Sequence, residues 1–173
     1  MKKLSKIVAL LLAGAMAMVM LTACGGGTTA DTEKEEAIRK QLGKRTEATS
    51  LCDRDGKVEN DSQLYKETAK LLDARIKAET SAFGILAVDF DVKGIDPVEQ
   101  YVTVTLSADY KTAGLVAGLI TKITEELGKI ESTNNSVKLD TEWAKAAVVV
   151  RTNEKGSYAA IAIQVKNIAY KGK

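Results

Sequence analysis

The sequence predicts an α+β fold in which two helices pack on one face of a four-stranded, mainly antiparallel sheet. Two observations predict this class. In two long segments apolar residues recur every three or four positions, which is the period of an amphipathic helix. Each of these segments is followed by two short runs in which apolar and polar residues alternate, the period of half-buried strands. The resulting αββαββ order buries its apolar faces most simply as a two-layer sandwich.

The first predicted helix begins near Asn60 and ends near Thr80. Either Asn60 or Asp61 can serve as its N-cap, because both side chains accept hydrogen bonds from the first backbone N–H groups of a helix. Its apolar stripe contains Leu64, Leu71, Leu72 and Ile76.

The first hairpin lies on either side of the segment Gly94-Ile95-Asp96-Pro97, which interrupts two alternating runs. Glycine and proline are typical of the turn between two such strands. Aligning the apolar faces predicts a register with Phe90 opposite Val102 and Val88 opposite Val104. The same register brings Asp91 near Tyr101 and Asp89 near Thr103.

A second helix is predicted from Thr112 to Ile130, followed by a second hairpin. The strands of that hairpin are predicted at Ala146–Arg151 and Ser157–Ile168. Val148, Val149 and Val150 do not alternate with polar residues, so the pattern leaves the register of this hairpin open.

Residues 24–59 are predicted to form a flexible tether before a single domain at 60–173. The tether is polar and charged, with a short helix expected from Thr32 to Gly43 on a thin apolar stripe. Asp53-Arg54-Asp55-Gly56 hints at a calcium loop. However, the EF-hand spacing puts Leu51 and Ser62 at the two positions where carboxylates are needed, which favours an ordinary turn.

The amino terminus has the features of an export signal. Lys2, Lys3 and Lys6 precede an uncharged apolar segment at residues 7–21, which is short for a membrane span. The sequence Leu21-Thr22-Ala23-Cys24 follows directly. This motif resembles the lipobox of bacterial lipoprotein precursors.

The lipoprotein resemblance covers residues 1–24 and implies three properties. The signal peptide at residues 1–23 would be removed, Cys24 would carry acyl chains, and the mature protein would face the extracytoplasmic side of the cell membrane. The alternatives are a plain secretory signal with a chance cysteine, or an uncleaved anchor helix.

Composition narrows the chemistry that the chain can perform. Residues 1–23 hold three Lys and no acid, so the mature chain has 22 basic and 23 acidic side chains, and charge gives no reason to expect nucleic-acid binding. The absence of histidine excludes Ser-His-Asp and Cys-His catalysis. No phosphate-binding loop or dinucleotide fingerprint occurs. We therefore assign no catalytic residue, no metal ligand and no cofactor.

One predicted sheet face remains open in this arrangement and is the candidate interaction surface. Asp89 and Asp91 could instead act as a carboxylate pair for acid–base chemistry, although an exposed sheet face needs polar residues in any case. The strand patterns assign six residues to the candidate surface: Asp89, Asp91, Tyr101, Thr103, Thr105 and Tyr158.

The sequence favours a non-catalytic, lipid-anchored binding or assembly module of the cell envelope, with an envelope protein or glycan as its partner. A small carboxylate-dependent enzyme and an accessory solute-binding protein of a transporter are the alternatives. Cys52 would be alone in the mature chain, so it is interpreted either as an incidental cysteine or as a reactive thiol.

Overall fold

The computed structural model of the chain describes residues 28–79, 85–113 and 116–172. The proposed signal peptide and Cys24 lie outside these ranges. The elements in chain order are β1 (Thr29–Ala30), α1 (Thr32–Leu42), a 3₁₀ helix (Thr46–Leu51), α2 (Ser62–Glu79), β2 (Asp89–Ile95), β3 (Val98–Asp109), α3 (Tyr110–Ala113), α4 (Val116–Thr133), β4 (Leu139–Asn153) and β5 (Gly156–Asn167).

The strands form one antiparallel sheet with the order β1-β4-β5-β3-β2. The predicted α+β class and antiparallel sheet are therefore confirmed. From α2 onward the elements follow the predicted order of helix, hairpin, helix and hairpin. The number of strands was wrong, because the two residues of β1 add a fifth strand beside β4.

Helices cover both faces of the sheet, whereas the sequence predicted both long helices on one face. Helices α1 and α4 pack on one face, with Ile38 and Ile123 in the larger cluster of buried apolar residues. Helix α2 packs on the opposite face, where Leu72 contacts a smaller cluster that includes Val149 and Tyr158. The molecule is a three-layer sandwich with the sheet in the middle.

Strands β4 and β5 explain this third layer. Val148 and Val150 belong to the cluster beneath α1 and α4, while Val149 between them belongs to the cluster beneath α2, and all three are fully buried. A strand that is covered on both faces needs apolar or small residues at every position. The lack of alternation at Val148–Val150 thus reflects two covered faces.

The predicted flexible tether differs from the structure between Thr29 and residue 59. Helix α1 forms close to the predicted position, and Asp31 is its N-cap. Ala48 and Val58 are fully buried in the same cluster as Leu42. The segment was misjudged because its few apolar residues are spread along the sequence and come together only when they pack on the sheet.

The register of the first hairpin is shifted by four residues from the prediction. Phe90 pairs with Leu106 and Val92 pairs with Val104, while Asp91 pairs with Thr105 and Asp89 with Ser107. An irregularity between Lys93 and Ile95 places extra residues of β3 beside the turn. Because the shift is even, each side chain keeps its predicted face.

The N-cap prediction for α2 is confirmed at Asp61 and not at Asn60. The Asp61 carboxylate accepts hydrogen bonds from the backbone N–H groups of Leu64 at 2.9 Å and Gln63 at 3.1 Å. Asn60 instead bonds to β4. No helix among the described residues is long and apolar enough to cross a membrane.

Candidate functional site

A groove of about 470 Å³ lies where β3 begins and β5 ends. Sites for small ligands commonly measure about 300–1,000 Å³, so the groove is large enough for a small ligand. Seven residues line it: Gln100, Lys166, Asn167, Ile168, Tyr170, Lys171 and Gly172.

Asn167 holds the backbone of this groove in place. It is 1% exposed, and its side-chain oxygen accepts hydrogen bonds from the N–H groups of Lys138 at 3.0 Å and Ala169 at 3.1 Å. Its amide nitrogen donates to the carbonyl oxygens of Glu99 at 3.4 Å and Ser136 at 3.3 Å. One buried side chain therefore joins the start of β3, the loop before β4 and the turn after β5.

The groove combines positive charge with an exposed aromatic ring. Lys166 and Lys171 supply two ammonium groups, Gln100 supplies an amide, and Tyr170 is 39% exposed. No lining residue is a carboxylate. This set can hold an anionic or hydroxyl-rich ligand through charged hydrogen bonds and ring contact, but it lacks an obvious acid–base pair. The sequence prediction missed it because its residues come from two strand ends and the following turn.

The predicted open sheet face is largely covered. Tyr158 is completely buried in the cluster beneath α2, which is a correction to its place on the candidate interaction face. Thr103 and Thr105 are also buried, and Tyr101 is half-buried. The prediction of an open face was wrong here because it assigned both long helices to the other side of the sheet.

A notch remains at the border between α2 and the β2–β3 hairpin. Leu64, Glu67, Thr68, Leu71, Lys93, Thr103 and Thr105 line a space of only about 20 Å³. That volume holds about one water molecule. The notch is therefore too small to be a substrate site.

Asp89 and Asp91 do not form a carboxylate pair in a cleft. Asp89 is an exposed partner of Arg75, with 3.2 Å between its oxygen and the guanidinium nitrogen. Arg75 also donates to the Ser107 hydroxyl, which fixes α2 to β3. Asp91 lies 3.9 Å from the ammonium group of Lys93. Neither carboxylate lines the groove or the notch.

A buried polar network that sequence analysis missed centres on Glu35 and Arg151. Glu35 accepts hydrogen bonds at 2.9 Å from the Tyr65 hydroxyl and from the backbone N–H of Val150. Arg151 lies 3.9 Å from Glu35 and donates to Asp73 at 3.2 Å. The position of Glu35 three residues before Ile38, on the apolar stripe of α1, was the available signal.

Burial raises the pKa of Glu35, and the hydrogen bonds from Val150 and Tyr65 and the nearby charges of Arg151 and Arg39 offset only part of that effect. Burial also raises the pKa of the Tyr65 hydroxyl, so the group stays a hydrogen-bond donor at neutral pH. Perturbed groups often mark active sites, but this network lines neither described cavity. Its contacts join α1 and α2 to β4, which is a structural role.

The remaining sequence candidates have structural partners. The Cys52 thiol donates to the carbonyl oxygens of Ala48 at 3.3 Å and Gly43 at 3.8 Å. Asp53 accepts from the backbone N–H groups of Asp55 and Lys57, both at 2.9 Å, as in an ordinary turn. Within the described ranges, no group of three or more Cys, Asp or Glu residues could hold a metal ion.

Comparison with family models, curated proteins and solved structures found no match to this chain.

Proposed function

We propose that the protein is a lipoprotein of the cell envelope, anchored through acyl chains on Cys24 and facing the extracytoplasmic side. The support is the order of three lysines, an apolar segment and Leu21-Thr22-Ala23-Cys24. Strand β1 begins at Thr29, five residues after Cys24. Five residues span at most about 18 Å, so the anchor would hold this end of the domain close to the bilayer.

We further propose that the domain is a non-catalytic binding module whose groove takes an acidic glycan of the envelope. The main support is a groove of about 470 Å³ whose lining residues include two lysines and an exposed tyrosine but no carboxylate. Thr29 pairs with Thr152 at one end of β4, while Asn167 pairs with Leu139 at the other. A strand the length of β5 extends roughly 36 Å, so the groove would point away from the membrane.

The anchor is tested by labelling cells that express the chain with an alkyne-bearing fatty acid. Cys24→Ser should abolish labelling and block cleavage before residue 24, because the acylated sulfur is the substrate of the processing step. Cys52→Ser is the matched control, since it removes the other cysteine and should label like the wild type. Labelling that persists in Cys24→Ser would refute the proposal.

The groove is tested by co-sedimentation of the purified full-length protein, in detergent, with cell-wall sacculi that retain their acidic polymers. Lys166→Gln/Lys171→Gln should weaken binding by about tenfold or more, because two charged hydrogen bonds are lost. Lys111→Gln/Lys155→Gln removes the same charge from exposed lysines at the opposite end of the sheet and should bind normally. Equal binding of sacculi stripped of their acidic polymers would contradict the glycan assignment.

A carboxylate-dependent enzyme is less well supported. Asp89 and Asp91 each lie beside their own cation on the surface, and neither lines a cavity large enough for a substrate. No observation on the described residues favours a transporter receptor.

A further inference from the structure

The two edges of the sheet, at β4 and at β2, differ in how far other segments of the chain hydrogen-bond to them. The outer edge of β4 is closed between Ala146 and Thr152 by the segment from Thr29 to Asp61. Strand β1 pairs with Arg151 and Thr152. Beyond β1, the Asp31 N–H donates to the Val150 carbonyl at 3.2 Å, and the Val150 N–H donates to the Glu35 carboxylate at 2.9 Å. The Asn60 side chain accepts from the Val148 N–H at 2.8 Å and donates to the Val148 carbonyl at 3.3 Å. The Asp61 N–H donates to the Ala146 carbonyl at 2.9 Å.

The opposite edge is formed by the seven residues Asp89–Ile95 of β2. Within the described part of the chain β2 pairs with β3 alone, and the sheet ends there. An edge strand of this length presents backbone donors and acceptors that a further strand can pair with. Among the described residues, one edge is therefore closed over Ala146–Thr152 by a separate segment, whereas no segment other than β3 pairs with β2.

The side chains of β2 favour a particular partner for this edge. Asp91 and Lys93 share one face of the strand, with 41% and 60% of their side chains exposed. If two copies of β2 pair antiparallel about a twofold axis at Val92, Asp91 of each copy lies directly opposite Lys93 of the other. Opposed residues have Cβ atoms about 4.5–5.5 Å apart, close enough for two reciprocal ion pairs.

The two neighbouring registers are less favourable. An axis at Lys93 would directly oppose two ammonium groups, which is destabilising. An axis at Asp91 would directly oppose two carboxylates and would place Lys93 opposite Asp89, a carboxylate that already pairs with Arg75 of its own chain. On the other face, the axis at Val92 brings the two Val92 side chains together beside Phe90. Both residues are only half-buried in the single chain, although they pack against its larger core cluster.

We propose that two copies of this chain associate through antiparallel pairing of their β2 strands, centred on Val92, to form a continuous sheet across the dimer. The proposal is independent of the groove and of the lipid anchor. A shared anchor surface would favour the association by confining both copies to one plane.

The test is sedimentation equilibrium of the purified full-length protein in a density-matched detergent. The wild type should dimerise. Asp91→Lys and Lys93→Asp should each weaken self-association by about tenfold or more, because two ion pairs become two repulsive pairs. Both side chains are exposed, so the variants should fold, and circular dichroism checks that they do.

Two recovery experiments separate this pairing from any general effect of charge. Asp91→Lys and Lys93→Asp mixed in equal amounts should form a heterodimer, and the double variant Asp91→Lys/Lys93→Asp should dimerise like the wild type. Lys111→Glu, a charge reversal outside β2, should leave dimerisation unchanged. A monomeric wild type at its highest soluble concentration, or no recovery in the mixture, would overturn the proposal. The charged side chains of β2 would then serve only to prevent pairing of this edge strand with other chains.

Discussion

Glu35 shows how one buried carboxylate can complete a backbone hydrogen-bond pattern. Its oxygen satisfies the Val150 N–H, which faces the sheet edge just beyond β1, and it also accepts from Tyr65. An unpaired buried N–H group costs about 1–3 kcal/mol, so the carboxylate contributes chiefly by preventing that loss.

Glu35→Ala should lower the free energy of unfolding by about 3 kcal/mol or more, because Val150, Tyr65 and the buried Arg151 all lose a partner. Glu35→Gln keeps an oxygen acceptor and should cost much less. Urea denaturation of the three proteins measures the difference. Equal losses in both variants would show that the charge, and not the acceptor, is what matters.

The raised pKa of Glu35 adds a pH dependence to this comparison. Between the ordinary value of 4.5 and the raised value, the folded state binds more protons at this site than the unfolded state. The contribution of Glu35 to stability therefore falls as pH rises through that window. Glu35→Gln lacks this titration, so its stability relative to the wild type should improve across the same pH range. A constant difference would contradict the assignment.

Asp61 has the opposite pH dependence. The N–H of Leu64 is the largest cause of a lowered pKa at Asp61, and Lys145 and the Gln63 N–H add to it. The stability that Asp61 contributes is therefore present above its ordinary value of 3.8 and lost as pH falls through the lowered value.

Asp61→Ala should lower stability by about 1 kcal/mol at neutral pH, which is typical of losing a helix N-cap. Asp61→Asn keeps the cap and serves as the control. Denaturation at neutral pH and again well below pH 3.8 should show the cost of Asp61→Ala shrinking in acid. A cost that is the same at both pH values would exclude a role for the charged form.

At the scale of elements, the segment from Thr29 to Asp61 matters because it covers β4. Asn60 bonds to both the N–H and the carbonyl of Val148 and so imitates a neighbouring strand at that position. Open strand edges invite pairing with other chains, so this closure is expected to suppress association through β4.

Asn60→Ala should reduce the free energy of unfolding by about 2 kcal/mol, because two backbone groups of Val148 lose their partner. It should also increase aggregation, which light scattering detects. Asn135→Ala, at an exposed position in the turn before β4, is the control and should change neither property. Unchanged aggregation in Asn60→Ala would show that β1 and Asp31 suffice to guard the edge.

At the scale of the whole molecule, the folded region starts at Thr29 instead of residue 60. Ile38, Leu42 and Val58 belong to the main core cluster, so the segment from α1 onward is part of the domain. The sequence suggested a spacer up to residue 59, whereas the structure places the segment from Thr29 onward in the domain.

Limited trypsin digestion of the native protein tests this boundary. Residues 43–59 contain Lys44, Arg45, Arg54 and Lys57, yet cleavage there should be slow because the segment is packed against the sheet. Ile38→Ala should cost about 2–5 kcal/mol and accelerate cleavage in this segment. Rapid cleavage in the wild type at these four sites would instead support the predicted tether.

Sequence periodicity was sufficient to predict the type and approximate position of the long elements. The helices near 62–79 and 116–133, the two hairpins and a helix cap at either Asn60 or Asp61 all follow from local patterns, because capping and side-chain alternation involve residues a few positions apart. The proposed lipid anchor also rests on a local motif, at Leu21–Cys24.

Three features required the folded structure: the sheet face that each helix covers, the register of the first hairpin and the role of residues 29–59. These features depend on contacts between residues far apart in sequence, which local patterns do not encode. Val149 points to the opposite side of the sheet from Val148 and Val150. The continuous apolar run therefore indicated that the strand is buried, but it did not indicate which helices cover its two faces. From the sequence pattern, Asn60 could cap the helix as well as Asp61. In the structure its side chain instead hydrogen-bonds to Val148 of β4, 88 residues further along the chain.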